Sequence, residues 1–308
     1  GREIGRHLRP DMYDLFQDKP TPVVPRDLRF GARERVDADG SIVCKLDLDS
    51  VTAAIDVIRK SKVEAVAISL LHSYANADHE IEIKKAIERA LPNVIVSTSS
   101  DVCREIREFG RTSTITLNAA VQPVVDRYLS KLEDSMTEVL PGAEVLLMQS
   151  NGGSMTIEAA RHAPVNLIYS GPAGGALACQ FVGQMTGRDN VIGFDMGGTS
   201  TDIAVVHDGE PVMSTEADVH GYPVKLPTIE VNTIGAGGGS IAWVDSGGVL
   251  RVGPRSAGAN PGPVAYGNGG TEPTVTDANL VLGRISPDHF MGGETKLHKD
   301  ASFAAIRD

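Results

Sequence analysis

The sequence of 308 residues predicts an α/β fold in two domains, on three observations. Between residues 28 and 149, short apolar runs alternate with amphipathic helix patterns in the order β-α-β-α-β, which is typical of helices layered on a sheet. The length leaves room for about two domains. Beyond residue 191 the pattern changes to paired strands and glycine-rich turns. We therefore place a first α/β domain at residues 1–160 and a second domain at residues 161–308.

The elements of the first domain follow from the spacing of apolar residues and from the turn and cap signals between them. A nearly continuous apolar run over residues 63–71 predicts a buried, parallel strand. Glycine and proline predict a break in the longest helical stretch. In chain order we expect a hairpin over 28–46, a helix capped by Asp49 or Ser50, the strand over 63–71, a helix over 81–91 capped by Asn76 or Asp78, a strand over 93–97, a helical stretch over 101–139 broken near Gly110 and Pro123, and a strand over 144–149.

A charged stretch opens the long helical segment and has two interpretations. Three arginines, Arg104, Arg107 and Arg111, stand at helical spacing near Glu105 and Glu108. They form either a solvated helix face or a structural ion-pair network. The sequence leaves both open.

A stretch of small residues, SGPAGG, precedes an apolar helix expected over residues 176–185. A small-residue turn that opens a helix can bind an anion at the helix N-terminus, which gives Gly171, Gly174 and Gly175 as candidate ligand-binding residues. The same residues can equally serve close helix packing. Neither interpretation is favoured by the sequence.

The segment VIGFDMGGTSTDIAVV, residues 191–206, carries the most specific pattern and is called the glycine hairpin below. An apolar run, a turn containing Gly197 and Gly198, and a second apolar run predict a β-hairpin. Glycines let a ligand approach the backbone N–H groups, and three hydroxyl side chains add donors. The predicted ligand-binding residues of this turn are Gly197, Gly198, Thr199, Ser200 and Thr201.

Two acids flank this turn. Asp195 ends the first apolar run and Asp202 begins the second, and together they predict a hydrated Mg²⁺ site, because Mg²⁺ prefers a few carboxylates plus water and phosphate oxygens. No Gly-Lys-Ser/Thr follows, so this is no Walker loop. An ordinary Gly-Gly hairpin is the plain alternative. The whole pattern resembles the phosphate-binding hairpin of the actin, sugar kinase and Hsp70 superfamily of ATPases, which implies ATP as a ligand and Asp195 and Asp202 as catalytic residues.

A second glycine-rich segment follows the hairpin. Between Gly235 and Gly270 lie 12 of the 33 glycines of the chain. Residues 235–239, GAGGG, are called the glycine loop below, and they predict a backbone packed against other backbone or a ligand, with Gly237, Gly238 and Gly239 as candidate binding residues. A flexible linker is the alternative, and interleaved apolar residues argue against it. A short helix capped by Thr276 or Asp277 is expected within residues 273–285.

Composition restricts the class of partner. The formal charge is −11 without a basic block, which argues against nucleic acid or an anionic membrane as the main partner. Three widely spaced cysteines and the lack of a membrane-length apolar run favour a cytoplasmic protein. The first residues contain neither an initiator Met nor the apolar core of a signal peptide, and we expect a fragment of a longer chain.

A longer series of motifs, in order along nearly the whole chain, resembles the hydantoinase A/5-oxoprolinase family. The segments are RPDMYDL, LLHSYANADHE, REFGRTSTITLNA, MQSNGG, SGPAGG, DMGGTSTD, NTIGAGGGSIAWVDSGG, LRVGPRSAGANPGP and PTVTDANLVLGR. Members include ATP-hydrolysing N-methylhydantoinases, 5-oxoprolinases and ATP-dependent acetone and acetophenone carboxylases. The resemblance implies an actin-like ATPase fold and a hydantoinase B-type partner subunit or domain.

The sequence departs from the family at its start. Members usually begin with another acid-Gly-Gly-Thr hairpin roughly a hundred residues before Gly1, and none is found here. The resemblance therefore implies an incomplete first domain of the actin-like fold, followed by a second domain that carries the glycine hairpin. We expect residues 1–308 alone to bind nucleotide weakly, to hydrolyse ATP poorly, and to associate into a homo-oligomer through an unpaired strand edge.

Three functional hypotheses follow from the resemblance. The leading one is ATP-dependent hydrolysis of a small cyclic amide or imide, of the hydantoin or 5-oxoproline type. The second is an ATP-dependent carboxylase of the acetone or acetophenone type. The third is a scaffold without catalytic activity that docks a hydantoinase B-type partner. The residues alone do not separate the first two.

Overall fold

A computed structural model describes Tyr13, Phe16, residues 21–219 and residues 221–308. The motif RPDMYDL, apart from Tyr13, lies outside the described residues. The chain divides into two units, one of Gly1–Ala173 with Met213–Thr228 and one of Gly174–Val212 with Ile229–Asp308. The architecture is mixed α/β, as the sequence predicts. Among the described residues, no helix combines the length and apolarity needed to cross a bilayer.

The first unit opens with alternating strands and helices. Its elements up to residue 162 are β1 (Arg35–Val36), β2 (Ile42–Cys44), α1 (Leu48–Ser61), β3 (Ala65–Ile68), α2 (Asp78–Ala90), β4 (Ile95–Thr98), α3 (Ser99–Val102), α4 (Glu108–Val139), β5 (Leu146–Met148), β6 (Ser154–Thr156) and α5 (Ile157–His162).

The remaining elements run from residue 170 to the C-terminus. They are α6 (Ser170–Thr186), β7 (Val191–Met196), β8 (Thr201–His207), β9 (Glu210–Pro211), β10 (Met213–Ser214), β11 (Ala217–Val219), β12 (Tyr222–Val224), β13 (Thr228–Ile229), β14 (Val231–Ile234), β15 (Ser240–Val244), β16 (Leu250–Ser256), α7 (Val275–Val281) and α8 (Lys299–Arg307).

The parallel strand predicted over residues 63–71 is confirmed. Strands β3 and β4 pair in parallel, with Ala65 opposite Ile95. Helices α1 and α2 cover the pair, and their apolar faces form one core with it, consisting of Val51, Ile55, Ile68, Ile83, Ile87 and Val96. The expected hairpin is confirmed as the antiparallel pair β1 and β2. Helix α1 is capped by Asp47 and not by Asp49 or Ser50, because Asp47 accepts a hydrogen bond from Asp49 N.

The break expected near Gly110 and Pro123 is absent, because α4 runs as one helix of 32 residues through both positions. A proline inside a helix costs about 3 kcal/mol. Burial of Ile115 and Leu129 on the same helix offsets that cost. Gly110 serves close packing instead, since a Cβ there would lie 2.7 Å from Lys225 Cδ.

The charged stretch at the start of α4 is solvated except at Arg111, since Arg104, Glu105, Arg107 and Glu108 are all exposed. Arg111 is fully buried and donates to Leu70 O at 2.6 Å and to Glu105 O at 2.8 Å. Its Nε also donates to Ser99 Oγ, whose hydroxyl donates to the buried carboxylate of Glu80. The buried arginine and glutamate are therefore linked through one serine hydroxyl.

We expect Arg111→Met to lower the free energy of unfolding by about 3 kcal/mol or more, because it removes the donor to the carbonyls of Leu70 and Glu105 and the buried cation that Ser99 links to the Glu80 carboxylate. Arg104→Met is the matched control. Arg104 is exposed and, among the residues that the structure describes, donates to Tyr74 O alone, so its loss should cost less than about 1 kcal/mol. Urea denaturation of both variants measures the difference, and equal small losses would refute a stabilising role for the buried network.

The boundary between the two units differs from the one placed at residues 160 and 161. It lies within α6, between Ala173 and Gly174, and residues 213–228 belong to the first unit. The reason is apolar contact with α4. Val165 and Val224 form one cluster with Leu117, and Ile157 packs with Leu129 in another.

The second unit contains the antiparallel sheet β14-β8-β7, with β9 added along β8. The hairpin of β15 and β16 follows, closed by Asp245, which accepts hydrogen bonds from Gly247 N, Val249 N and Arg251 Nε. These hydrogen bonds hold the pKa of Asp245 below its usual range, and the largest contribution comes from the N–H of Val249. A small core of Ala265, Leu280 and Leu297 joins α7 to the segments around residues 265 and 297.

Candidate functional site

The glycine hairpin is a regular antiparallel pair, as predicted. Strands β7 and β8 pair in register from Val191 opposite Val206 to Met196 opposite Thr201. The turn between them is closed by a hydrogen bond from Gly197 N to Ser200 O of 2.9 Å. At this end of the sheet Gly197, Gly198 and Thr199 are exposed, and Ser200 is half-buried.

Three consecutive backbone amides of this turn lack a protein acceptor. Within the described part of the chain, no oxygen accepts a hydrogen bond from the N–H groups of Gly198, Thr199 or Ser200. The hydroxyls of Thr199 and Ser200 also form no hydrogen bond there, and a Cβ on Gly198 would meet nothing within 4 Å. A run of free donors beside open space is suited to an anion.

The glycine loop packs against this turn, although some 40 residues separate the two in sequence. Strand β14 pairs with β8 so that Ile234 lies opposite Thr201, and the chain then enters the loop beside the turn. Gly238 N donates to Gly197 O at 2.9 Å, and Gly239 N donates to Gly198 O at 2.6 Å. The loop is thus ordered structure, and the flexible-linker interpretation is wrong.

The hydrogen bonds to the loop also set the direction of the free amides. A trans peptide is planar, so the C=O of one residue and the N–H of the next point in opposite directions. Because Gly197 O and Gly198 O point to the glycine loop, the N–H groups of Gly198 and Thr199 point away from it. These two donors are therefore presented on the side of the turn opposite the loop.

Gly237 allows the loop to approach this closely. An added Cβ at Gly237 would lie 2.6 Å from Ser200 N and 2.7 Å from Thr199 N, inside any allowed contact distance. Gly239 is in a similar position, with an added Cβ 2.9 Å from Gly198 O. The glycines predicted as binding residues therefore contact the backbone of the turn.

The two acids lie directly opposite each other on neighbouring strands. Asp195 and Asp202 are Cα partners across β7 and β8, so both side chains project from the same face of the sheet. Asp195 is exposed, and Asp202 accepts a hydrogen bond from Thr233 Oγ1 at 2.6 Å. Like charges directly opposite each other repel, and a cation between them would relieve the repulsion.

The acid pair fits the demands of Mg²⁺, which takes one or two carboxylates and completes its octahedron with water and phosphate oxygens. It does not fit a cation held by protein ligands alone. No group of three or more His, Cys, Asp or Glu side chains is placed to hold a metal within the described ranges. Any magnesium here would share its coordination with a phosphate ligand.

Several predicted binding residues have other contacts. Thr201 is buried and its hydroxyl donates to Ala236 O at 2.5 Å, so this side chain holds the glycine loop. The stretch SGPAGG is not a turn, because α6 already begins at Ser170. Gly174 and Gly175 lie beyond the first turn of that helix, where amides are engaged in the helical ladder. Gly171 is the second residue of α6.

The sequence interpretation missed the capping residue of α7. That residue is Thr274, which forms a capping box with Asp277, and the expected caps Thr276 and Asp277 lie inside the helix. The Thr-x-x-Asp spacing of a capping box is present in PTVTDANLV and could have identified it.

Comparison with known proteins identifies the family. A model of the hydantoinase/oxoprolinase family matches residues 111–308, and a model of the hydantoinase/oxoprolinase N-terminal region matches residues 2–91. The chain belongs to the hydantoinase/oxoprolinase family. This confirms the resemblance drawn from the motifs.

Family members of named activity are similar along nearly the whole chain. Caprolactamase subunit alpha of Pseudomonas jessenii is 44% identical over 295 residues, which cover 96% of this chain and 42% of that protein. The crystal structure of the ATP-dependent caprolactamase from Pseudomonas jessenii aligns with a TM-score of 0.81 at 44% identity, covering 99% of this chain and 44% of that chain. A nucleotide-free acetone carboxylase structure, described for ATP-dependent acetone carboxylation, aligns with a TM-score of 0.79 at 31% identity, covering 94% and 41%. The hydantoinase/oxoprolinase chain described here thus spans less than half the length of these relatives.

Proposed function

We propose that the protein to which this chain belongs hydrolyses a small cyclic amide or imide at the expense of ATP, and that the glycine hairpin binds the phosphates. The observation that carries the proposal is the row of free amides at Gly198, Thr199 and Ser200 beside two opposed carboxylates. The caprolactamase relative, an ATP-dependent enzyme by its description, supports an amide substrate. Relatives named 5-oxoprolinase support the cyclic amide class.

The chemistry explains the need for ATP. A resonance-stabilised amide is a poor electrophile, and transfer of the γ-phosphoryl group of ATP to its oxygen would remove that resonance, so that water could add to the carbon. The C–N bond of the adduct would then break, with the ring nitrogen protonated and leaving as an amine, and a second water would release phosphate from the acyl phosphate that remains. Transfer of a phosphoryl group depends on positioning and on neutralising charge. The amides of Gly198 to Ser200 would hold phosphate oxygens by hydrogen bonds. Mg²⁺ held by Asp195 and Asp202 would neutralise phosphate charge.

The fold proposed for the complete protein is that of the actin-like ATPases. The support is a hairpin whose tight turn presents free amides, flanked by one acid on each strand. In that fold a second wall of the cleft supplies further phosphate donors. We propose that this chain supplies one wall only.

An ATP-dependent carboxylase is the second proposal, favoured by the alignment with acetone carboxylase. There the same phosphoryl transfer would activate an enolate or bicarbonate. Because the relative caprolactamase is named as a subunit, we also propose a partner subunit, of the hydantoinase B type. Turnover of ATP with hydantoin, 5-oxoproline, caprolactam, acetone or acetophenone, with the partner present, separates the hydrolase from the carboxylase.

Nucleotide binding tests the proposal on this chain alone. We expect AMP, ADP and a non-hydrolysable ATP analogue, each with Mg²⁺, to bind with affinity that rises with the number of phosphates. In an NMR titration carried to millimolar concentration, the amide signals of Gly198, Thr199 and Ser200 should shift most. Equal affinities, or shifts that leave these amides unchanged, would exclude the hairpin as the phosphate site.

A further inference from the structure

The first turn of α7 packs against the glycine loop and holds it through the carbonyl of Gly238. Thr276 N donates to Gly238 O at 2.8 Å, and Thr276 Oγ1 donates to the same oxygen, also at 2.8 Å. Thr276 is 7% exposed, so neither bond competes freely with water. One threonine thus contributes two hydrogen bonds to one carbonyl of the loop.

We propose that Thr276 is a positioning residue for phosphate binding, acting through Gly238 on the direction of the hairpin amides. The inference rests on the proposed function of the hairpin. Thr276 fixes the Gly238 carbonyl, which shares one planar peptide with the N–H of Gly239, and that N–H donates to Gly198 O at 2.6 Å. The planar peptide of Gly198 O in turn fixes the N–H of Thr199, which points away from the loop.

The threonine is itself held in place by a buried carboxylate. Asp277 is 0% exposed and accepts five hydrogen bonds, at 2.6–3.3 Å. The donors are Val264 N, Ala265 N, Thr274 N, Thr274 Oγ1 and Ser302 Oγ. The first turn of α7, which contains Thr276, is therefore held firmly. A rigid support of this kind preserves the geometry of the hairpin turn.

Pre-organisation is the reason that such a support affects affinity. Amides that already point toward the ligand need no ordering when the anion binds. Thr276→Val removes the hydroxyl donor but keeps the backbone donor and the side-chain volume. Losing one hydrogen bond of the support should weaken phosphate binding about five- to tenfold.

The experiment compares three variants of the chain with the unmodified chain. The nucleotide probe is ADP with Mg²⁺, followed by calorimetry or NMR titration. Thr276→Ser keeps the hydroxyl and should restore affinity to within about twofold. Thr114→Val makes the same substitution at a buried threonine of the first unit, whose hydroxyl donates to Gly110 O and accepts from Lys225 N. It should lower Tm at least as much as Thr276→Val does while leaving the Kd for ADP unchanged.

Amide exchange supplies a second readout. In Thr276→Val, exchange of the Gly238 and Gly239 amides, which donate to the hairpin turn, should accelerate, and in Thr276→Ser it should not. Equal loss of affinity in Thr276→Val and Thr114→Val, or no loss in either, would overturn the positioning role. If the unmodified chain binds no ADP at all, the proposed function fails, and the exchange rates still report whether Thr276 holds the loop.

Discussion

Asp195→Ala is expected to abolish ATP turnover in the complete enzyme while leaving the fold intact. The Asp195 carboxylate is exposed beside the turn of the hairpin and lies directly opposite Asp202. In this position it does not stabilise the fold. Removing one of two opposed like charges should change the free energy of unfolding by less than about 1 kcal/mol. Loss of a group that stabilises the transition state costs on the order of 3 kcal/mol, which is a hundredfold or more in rate.

The control is Asp189→Ala, the same substitution at an exposed carboxylate of the same unit. Turnover and the urea midpoint are measured for both variants in the full gene product with the proposed partner subunit. Normal turnover of Asp195→Ala would remove the metal-positioning role. Unfolding of Asp195→Ala would instead assign this acid to the structure of the turn.

Gly237→Ala is expected to abolish nucleotide binding. Its Cβ would meet the backbone of Thr199 and Ser200 at 2.6–2.7 Å, and the atoms it meets are backbone, which cannot rotate away. The turn must therefore shift, and overpacking of this kind typically costs about 1–3 kcal/mol of stability. If two amide donors to a charged phosphate are misdirected, about 3 kcal/mol or more of binding free energy is lost, on the order of a hundredfold in Kd.

Gly31→Ala is the matched control for this substitution. Gly31 is exposed, and a Cβ there would meet nothing within 4 Å. Titration of ADP with Mg²⁺ should give the unmodified Kd for Gly31→Ala. Retained affinity in Gly237→Ala would show that the glycine loop does not control the turn.

Local pattern was sufficient for the parts of the fold that depend on neighbouring residues. The glycine hairpin follows from two apolar runs around Gly197 and Gly198, because strand pairing across a tight turn is a local property. The parallel strand β3 follows from its continuous apolar run. The family likewise follows from long motifs in fixed order.

The rest depends on contacts between distant parts of the chain, which no local signal records. Pro123 was expected to end a helix, but packing of α4 outweighs the proline. Residues 213–228 belong to the first unit and not to the second, because Val224 packs with Leu117 and Val165. The support of Gly238 by Thr276 joins two segments 38 residues apart, and only the fold reveals it.

A crystal structure of this chain with Mg²⁺ and a non-hydrolysable ATP analogue tests the central claim most directly. We expect phosphate oxygens within about 2.7–3.2 Å of the N–H nitrogens of Gly198, Thr199 and Ser200. We also expect a magnesium ion bound to Asp195 or Asp202, directly or through water. A nucleotide bound elsewhere on the chain, with the turn of the glycine hairpin empty, would contradict the account.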